Sequence, residues 1–122
     1  MCQEFNIEND IIPQIATCFG GGIGGTGSVC GAVAGGVMAI GLLEKRGITV
    51  EEWKRVADIA REFRSRFEAE MGAINCRDLI GVDLTTDTGS EELMNSDIPM
   101  TVCLPAVDLA YRLVVDLMAE ES

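Results

Sequence analysis

The chain contains no histidine among its 122 residues. This absence excludes Ser-His-Asp and Cys-His catalysis, and it removes imidazole from the available metal ligands. No two cysteines stand in a C-x-x-C arrangement, which excludes a thioredoxin-like dithiol motif. Polar chemistry in this protein therefore depends on Cys, Asp, Glu, Lys, Arg, Tyr or backbone groups.

Basic residues are scarce as well. Nine Lys and Arg residues stand against 20 Asp and Glu residues, which gives a formal net charge of −11 at pH 7. Too few cations are present to displace the counterions of nucleic acid or to bind anionic membrane surfaces, so we expect neither partner. The acidic residues are scattered over predicted solvent faces, and no pair of them marks a site.

The first residues do not resemble a secretory signal, and we expect none. The first residues, Met1-Cys2-Gln3-Glu4, are polar and include neither a basic region nor an apolar region. We therefore expect a cytoplasmic protein, in which cysteines stay reduced and are more often free, catalytic or metal-binding than joined in structural disulfides.

Hydrophobic residues, by contrast, make up 48% of the chain. The length suits a single domain, residues 1–122, with a small core, and we expect a helical dimer or higher oligomer to bury the excess apolar surface. Residues 11–43 carry no charge, but their helical part, 29–43, is shorter than the about 20 residues of a membrane span. The sequence therefore predicts a buried helix here and no membrane association.

Apolar residues recur at helical spacing along most of the chain, and no convincing strand is found. A capping box, Thr49 with Glu52, opens a long helix, and Pro105 suits the first turn of the last helix. We predict an all-α bundle of four main helices plus a short one, with a glycine-rich loop before the buried helix. The predicted segments are 1–18 (capped by Asp10, with Pro13 in its first turn), 28–43 (ending near Gly47), 49–71, 75–81, a helical turn at 91–95, and the helix from 105.

Two of these helices carry a clear apolar face. On the helix at 49–71 the predicted core residues are Trp53, Val56, Ala57, Ala60, Phe63 and Phe67. On the last helix they are Val107, Ala110, Tyr111, Val114, Leu117 and Met118.

Ten of the 14 glycines lie between residues 20 and 41, and residues 22–27 match the G-x-G-x-x-G pattern. A dinucleotide site also needs a strand before the pattern and a parallel strand after it, and both flanking segments are predicted helical. Two interpretations remain: an anion-binding nest of amides at a helix N-terminus, or a tight connection that supports a site at Cys30. We favour the second. The supporting glycines are Gly21, Gly22, Gly24, Gly25 and Gly27.

The five cysteines are the sharper signal. Cys30 lies at the start of the apolar helix, Cys76 follows a good capping residue, and Cys103 precedes the last helix. A helix N-terminus favours the thiolate and lowers the pKa of a thiol, and Arg77 adds positive charge beside Cys76. The alternative is that cysteines only fill space in the core, which suits Cys18.

Any convergence of these cysteines must be spatial, and several functions stay open. Two thiols can cycle as a disulfide, whereas three or four thiolates can hold an iron–sulfur cluster or zinc. A non-enzymatic helical dimer with packing cysteines is the alternative from a different class. An anion or nucleotide bound at the glycine loop is the third.

Four segments together closely resemble one family: Phe19-Gly-Gly-Gly-Ile-Gly24, Cys30-Gly-Ala-Val-Ala-Gly35, Asn75-Cys-Arg-Asp-Leu-Ile-Gly81 and Val102-Cys103. This is the C_GCAxxG_C_C family, whose members are inferred to be redox-active from their cysteines. The resemblance implies a small bacterial or archaeal protein. A similar domain occurs in split-Soret cytochromes, where its cysteines are suggested to accommodate an iron–sulfur centre.

The resemblance implies that Cys30, Cys76 and Cys103 are redox thiols or metal ligands. The family's first cysteine usually lies in an N-terminal helix with a pattern like Asn-Cys-Ala-Gln, and residues 1–6 resemble the end of that helix, so we expect the chain to begin within the pattern. The alternative is that Cys18 or Cys2 takes the role of this first cysteine. The expected protein is a thiol-dependent oxidoreductase or electron-transfer protein, with an unidentified redox partner and an iron–sulfur cluster, another thiolate-bound metal or no cofactor.

Overall fold

The computed structural model describes residues 11–44 and 49–121, and within them the chain is all-α, as predicted. Predicted features at 1–10 and near Gly47 lie outside the described residues. The described segments contain no strand, only an isolated antiparallel bridge between Val29 and Asn75. Their α-helices are α1 (Ile11–Ala16), α2 (Gly31–Glu44), α3 (Val50–Met71), α4 (Cys76–Ile80), α5 (Asp87–Asn95) and α6 (Leu104–Glu121), with a 3₁₀ turn at Thr17–Phe19 and a π-helical turn at Pro99–Cys103.

Helices α2, α3 and α6 pack against one another in pairs and form the core. Two predicted core residues are exposed instead: Trp53 is 57% exposed and Val107 is 56% exposed. The buried stripe of α3 runs through Ile59, Phe63 and Phe67, of which the sequence-based prediction omitted Ile59, and Trp53 lies in the exposed first turn of the helix. The buried core residues are Val33, Ile40, Ile59, Phe63, Phe67, Ala106, Leu109, Ala110, Leu113, Val114 and Leu117.

Helices α2 and α3 approach closely at Gly36. A Cβ atom at this buried position would collide with the Cζ end of the Phe63 ring, whose side chain is fully buried. The neighbouring Gly35 has open space where its Cβ would lie. Glycine inside a helix lowers stability by about 1 kcal/mol relative to alanine. Close packing explains why glycine stands at position 36, but it does not explain the glycine at position 35.

The ends of α3 form as the sequence predicts. The Thr49 hydroxyl accepts a hydrogen bond from the Glu52 amide at 3.1 Å. At the other end Gly72 adopts a left-handed conformation (φ 88°), and its N–H donates to the Glu68 carbonyl. The Arg66 guanidinium then links α3 to α6 by hydrogen bonds of 2.8 and 3.0 Å to the Glu120 carboxylate.

The region before α6 differs from the prediction in two ways. Helix α5 begins at Asp87 rather than at residue 91, because the Thr86 hydroxyl caps it by accepting the Gly89 N–H at 3.0 Å. The π-helical turn then continues directly into α6, and the Leu104 N–H donates to the Pro99 carbonyl. Pro105 has no N–H, and its ring would collide with the carbonyl four residues earlier in a regular α-helix, so a wider turn fits here.

No single helix within residues 11–44 and 49–121 has the length and apolar composition of a membrane span. Asp87–Asn95 and Pro99–Glu120 reach that length and composition only when taken together, across a bend of 73°.

Candidate functional site

The glycine cluster forms a left-handed turn. All five residues from 21 to 25 have positive φ, with values between 62° and 73°, and Gly27 follows at 73°. L-residues pay roughly 1–2 kcal/mol each in this conformation, whereas glycine adopts it freely. The exception is Ile23 (φ 62°), whose carbonyl accepts a hydrogen bond of 2.8 Å from the Thr26 hydroxyl. The turn therefore explains why four glycines stand among these five residues.

The amides of this turn are occupied within the chain. The six successive N–H groups of residues 23–28 donate to carbonyls of residues 18–23, at 2.7–3.3 Å. Among them, the Gly24 N–H bonds to the Cys18 carbonyl and the Ser28 N–H bonds to the Gly22 carbonyl. These six amides therefore do not point outward at a ligand, and they form no anion nest.

The end of the turn is bonded to the start of α4 and places two cysteines on neighbouring backbone segments. The Cys76 N–H donates to the Ser28 carbonyl at 2.7 Å, and the Cys30 N–H donates to the Ile74 carbonyl at 2.7 Å. Sequence reasoning missed the Ser28 and Ile74 carbonyls, because nothing local marks which segments will pair.

Gly22 brings the turn against Cys76. A Cβ atom at Gly22 would lie 2.7 Å from the Cys76 Cβ and 2.6 Å from both the N and the O of Ser28. Real Cβ atoms do not approach other atoms so closely, so only glycine fits. The predicted support of Cys30 by the loop therefore extends to Cys76.

Cys30, Cys76 and Cys103 lie on segments that contact one another, since the backbone at Cys30 pairs with the start of α4 and α4 contacts the π-helical turn; these three residues are called here the thiol cluster. Cys76 is buried, and the other two are half-buried. Burial raises the pKa of the Cys76 thiol, and the nearby charges of the Cys30 and then the Cys103 thiolates raise it further. Burial also raises the pKa of Cys103, with a second contribution from Cys30. Such charge interactions require proximity.

These pKa directions correct the expectation that helix N-termini lower the pKa of the thiols. Cys76 does begin α4, but that helix has only five residues, and the Cys76 N–H is already bonded to Ser28. Cys103 ends the π-helical turn that continues into α6, so the predicted free helix start is not formed there. Cys30 directly precedes α2 as predicted, and its carbonyl accepts the Ala34 N–H at 3.0 Å.

Cys18 has a different environment from the members of the thiol cluster. It is exposed on the 3₁₀ turn, and it does not contribute to the pKa changes of Cys76 and Cys103. Across residues 11–44 and 49–121, no three Cys, Asp or Glu side chains are arranged so that they could hold a metal ion. The described thiols therefore do not fit a metal or cluster in this arrangement.

Comparison with known proteins gives one match. A family model described as "Putative redox-active protein (C_GCAxxG_C_C)" matches residues 1–117, which include the left-handed turn and the whole thiol cluster. Neither a curated protein nor a solved structure matches the chain.

Proposed function

Because the chain belongs to the C_GCAxxG_C_C family of putative redox-active proteins, we propose that it exchanges dithiols for disulfides through the thiol cluster. The observation that carries this proposal is the backbone pairing that sets Cys30 beside Cys76, in which the Cys30 N–H donates to the Ile74 carbonyl and the Cys76 N–H donates to the Ser28 carbonyl. Exchange needs only two neighbouring thiols and a substrate disulfide, and no bound group takes part.

The exchange has two steps. One protein thiolate attacks a sulfur of the substrate disulfide, which forms a mixed disulfide and releases one substrate thiolate. A second protein thiolate then attacks the protein sulfur of the mixed disulfide, closes a protein disulfide and releases the second substrate thiol. The two protein thiols lose two electrons and two protons in total, and the substrate gains both.

The environments of the thiols suggest their roles. Cys30 is more accessible than the buried Cys76, and its charge affects both Cys76 and Cys103. We assign Cys30 the first attack, and Cys76 or Cys103 the second. Burial of the second thiol favours its protonated form, which protects it from reaction until the mixed disulfide has formed beside it.

The test is to incubate the protein in dithiothreitol redox buffers of increasing oxidising strength and to map disulfides by mass spectrometry of unreduced peptides. We expect one disulfide that includes Cys30, absent from Cys30→Ser and retained in the matched control Cys18→Ser. Three free thiols at every potential would contradict the proposal, and so would iron and sulfide bound by these cysteines in anaerobically isolated protein. If Cys→Ala changes at the three positions lowered only stability, the cysteines would be packing residues of an interaction module.

A further inference from the structure

An apolar groove follows α2 between α1 and α6. Its volume is about 570 Å³, and its lining contains no charged side chain. Three of the lining residues are well exposed, namely Ile15, Leu42 and Val107, so the groove is open to solvent. Small-molecule sites occupy roughly 300–1,000 Å³ and are mostly apolar, and the groove matches them in both respects.

Two residues that line the groove are close in the chain to members of the thiol cluster. Gly31, which lines it, directly follows Cys30. Val107, which lines it from α6, stands four residues after Cys103, about one helical turn away. A molecule bound along α2 would therefore have one end close to the thiols that the proposed function uses.

Charge decides which class of disulfide fits. The chain has a formal net charge of −11, and a charged group would lose its hydration on entering a groove without a charged partner. Anionic disulfides such as oxidised glutathione are therefore disfavoured twice, by repulsion and by desolvation. An uncharged apolar molecule meets neither cost.

We propose that the groove binds an uncharged, apolar small-molecule disulfide and presents its sulfur–sulfur bond to the thiol cluster. This inference rests on the proposed function and names its substrate class. The substrate disulfide is reduced to two thiols while two protein thiols are oxidised to a disulfide, so electrons and protons balance without another reactant.

The first test uses two probes that share one cyclic disulfide and differ in charge, lipoamide and lipoate. Reduced protein is mixed with each probe at equal concentration, and the loss of protein thiols is followed. We expect lipoamide to react at least about tenfold faster, because burial of the lipoate carboxylate is costly. Equal rates for the two probes would overturn the proposal.

The second test fills the groove. A Cβ at Gly35 meets nothing within 4 Å, so Gly35→Leu places a side chain in the groove without disturbing the backbone. We expect this variant to react with lipoamide several-fold more slowly, yet to form its disulfide normally in dithiothreitol buffers. The matched control is Val37→Leu, an exposed residue of α2 that does not line the groove. Unchanged lipoamide kinetics in Gly35→Leu would overturn the proposal.

A failure of ligand binding in the groove can be distinguished from a failure of disulfide exchange at the thiol cluster. In Cys30→Ser, lipoamide should still displace a neutral apolar dye from the groove, and Gly35→Leu should weaken this displacement. Displacement without disulfide exchange would contradict the proposed function and leave the binding site supported. If Gly35→Leu instead abolished a dimer seen by sedimentation and left dye displacement unchanged, the groove would be an interface between copies, which would overturn the ligand site.

Discussion

Burial and neighbouring thiolates both disfavour ionisation of Cys76 and Cys103. The pKa of each thiol is raised first by loss of solvation, and then by other members of the thiol cluster. Only the thiolate attacks disulfides and alkylating reagents, so these two thiols react slowly at neutral pH. Cys18 is exposed, so burial does not limit the access of a reagent to its sulfur.

Alkylation should reveal this difference between individual cysteines. When native, reduced protein is treated with iodoacetamide at neutral pH, we expect Cys18 to react first and Cys76 last, because Cys18 is exposed, whereas Cys76 is buried and its pKa is raised. Peptide mass spectrometry of timed samples measures the order. In denaturant the three peptides of Cys18, Cys76 and Cys103 should react at similar rates. A native order with Cys76 first would contradict the burial described for it.

At the scale of elements, the left-handed turn and α4 form one unit. The N–H groups of residues 23–28 donate hydrogen bonds to carbonyls of residues 18–23. The Ser28 carbonyl, at the end of the turn, accepts a hydrogen bond from the Cys76 N–H. Gly22 is the position where the turn touches Cys76, whereas Gly24 has the same left-handed conformation with nothing within 4 Å of its Cβ position. A comparison of substitutions at these two glycines therefore separates the effect of the contact with Cys76 from the effect of the left-handed conformation.

Alanine at these two glycines should have different effects. Both substitutions pay roughly 1–2 kcal/mol for a left-handed L-residue. Gly22→Ala should lose about a further 1–3 kcal/mol by overpacking against Ser28 and Cys76, and it should also change the rate of disulfide formation. Urea unfolding and the dithiothreitol titration measure the two effects. Equal losses for Gly22→Ala and Gly24→Ala would show that the contact with Cys76 is unimportant.

At the scale of the whole molecule, the bundle depends on close packing of α2, α3 and α6. Gly36 admits the Phe63 ring, which joins the most buried part of the core. Gly35, one residue earlier, faces the groove. Gly36 lines the groove as well, so the two adjacent glycines differ in that only Gly36 also lies against the Phe63 ring.

Adjacent alanine substitutions should change the free energy of unfolding in opposite directions. Gly36→Ala should lower it by about 1–3 kcal/mol through the clash with Phe63, reduced by the gain in helix propensity. Gly35→Ala should raise it by up to about 1 kcal/mol, since the added methyl meets open space. Thermal or urea unfolding measures both changes. A Gly36→Ala variant more stable than the original protein would contradict the close approach of α2 to α3.

The stability of the reduced protein should also fall at alkaline pH. The raised pKa of Cys76 means that the native state holds its thiol proton more tightly than the unfolded chain does. This contribution is complete below the unfolded value of about 8.5, and it is lost as pH rises through the higher native pKa. Cys76→Ala should flatten the decline in urea midpoint above that pH, while Cys18→Ala should not. An identical slope in both variants would contradict the pKa direction.

Local signals in the sequence account for the elements that formed as predicted. Thr49 caps α3, Gly72 and Gly81 end α3 and α4 in left-handed conformations, and Pro105 lies in the first turn of α6. Each of these effects involves residues within about one helical turn, so a reader of the sequence can find it. The start of α5 was missed because Thr86 stands in a polar run that is also typical of a turn.

The sequence by itself determined the all-α class, the family and the absence of histidine, which leaves cysteine among the few residue types available for polar chemistry. Only the tertiary structure decided the burial of Cys76, its approach to Gly22, the π-helical turn at Cys103 and the groove lined by Gly31 and Gly35. The physical reason is range: caps and turns depend on neighbours along the chain, whereas desolvation and charge interactions depend on residues that meet only after folding. For this reason the sequence could place Cys30 and Cys76 at the starts of α2 and α4, but it could not give the direction in which the pKa of Cys76 changes.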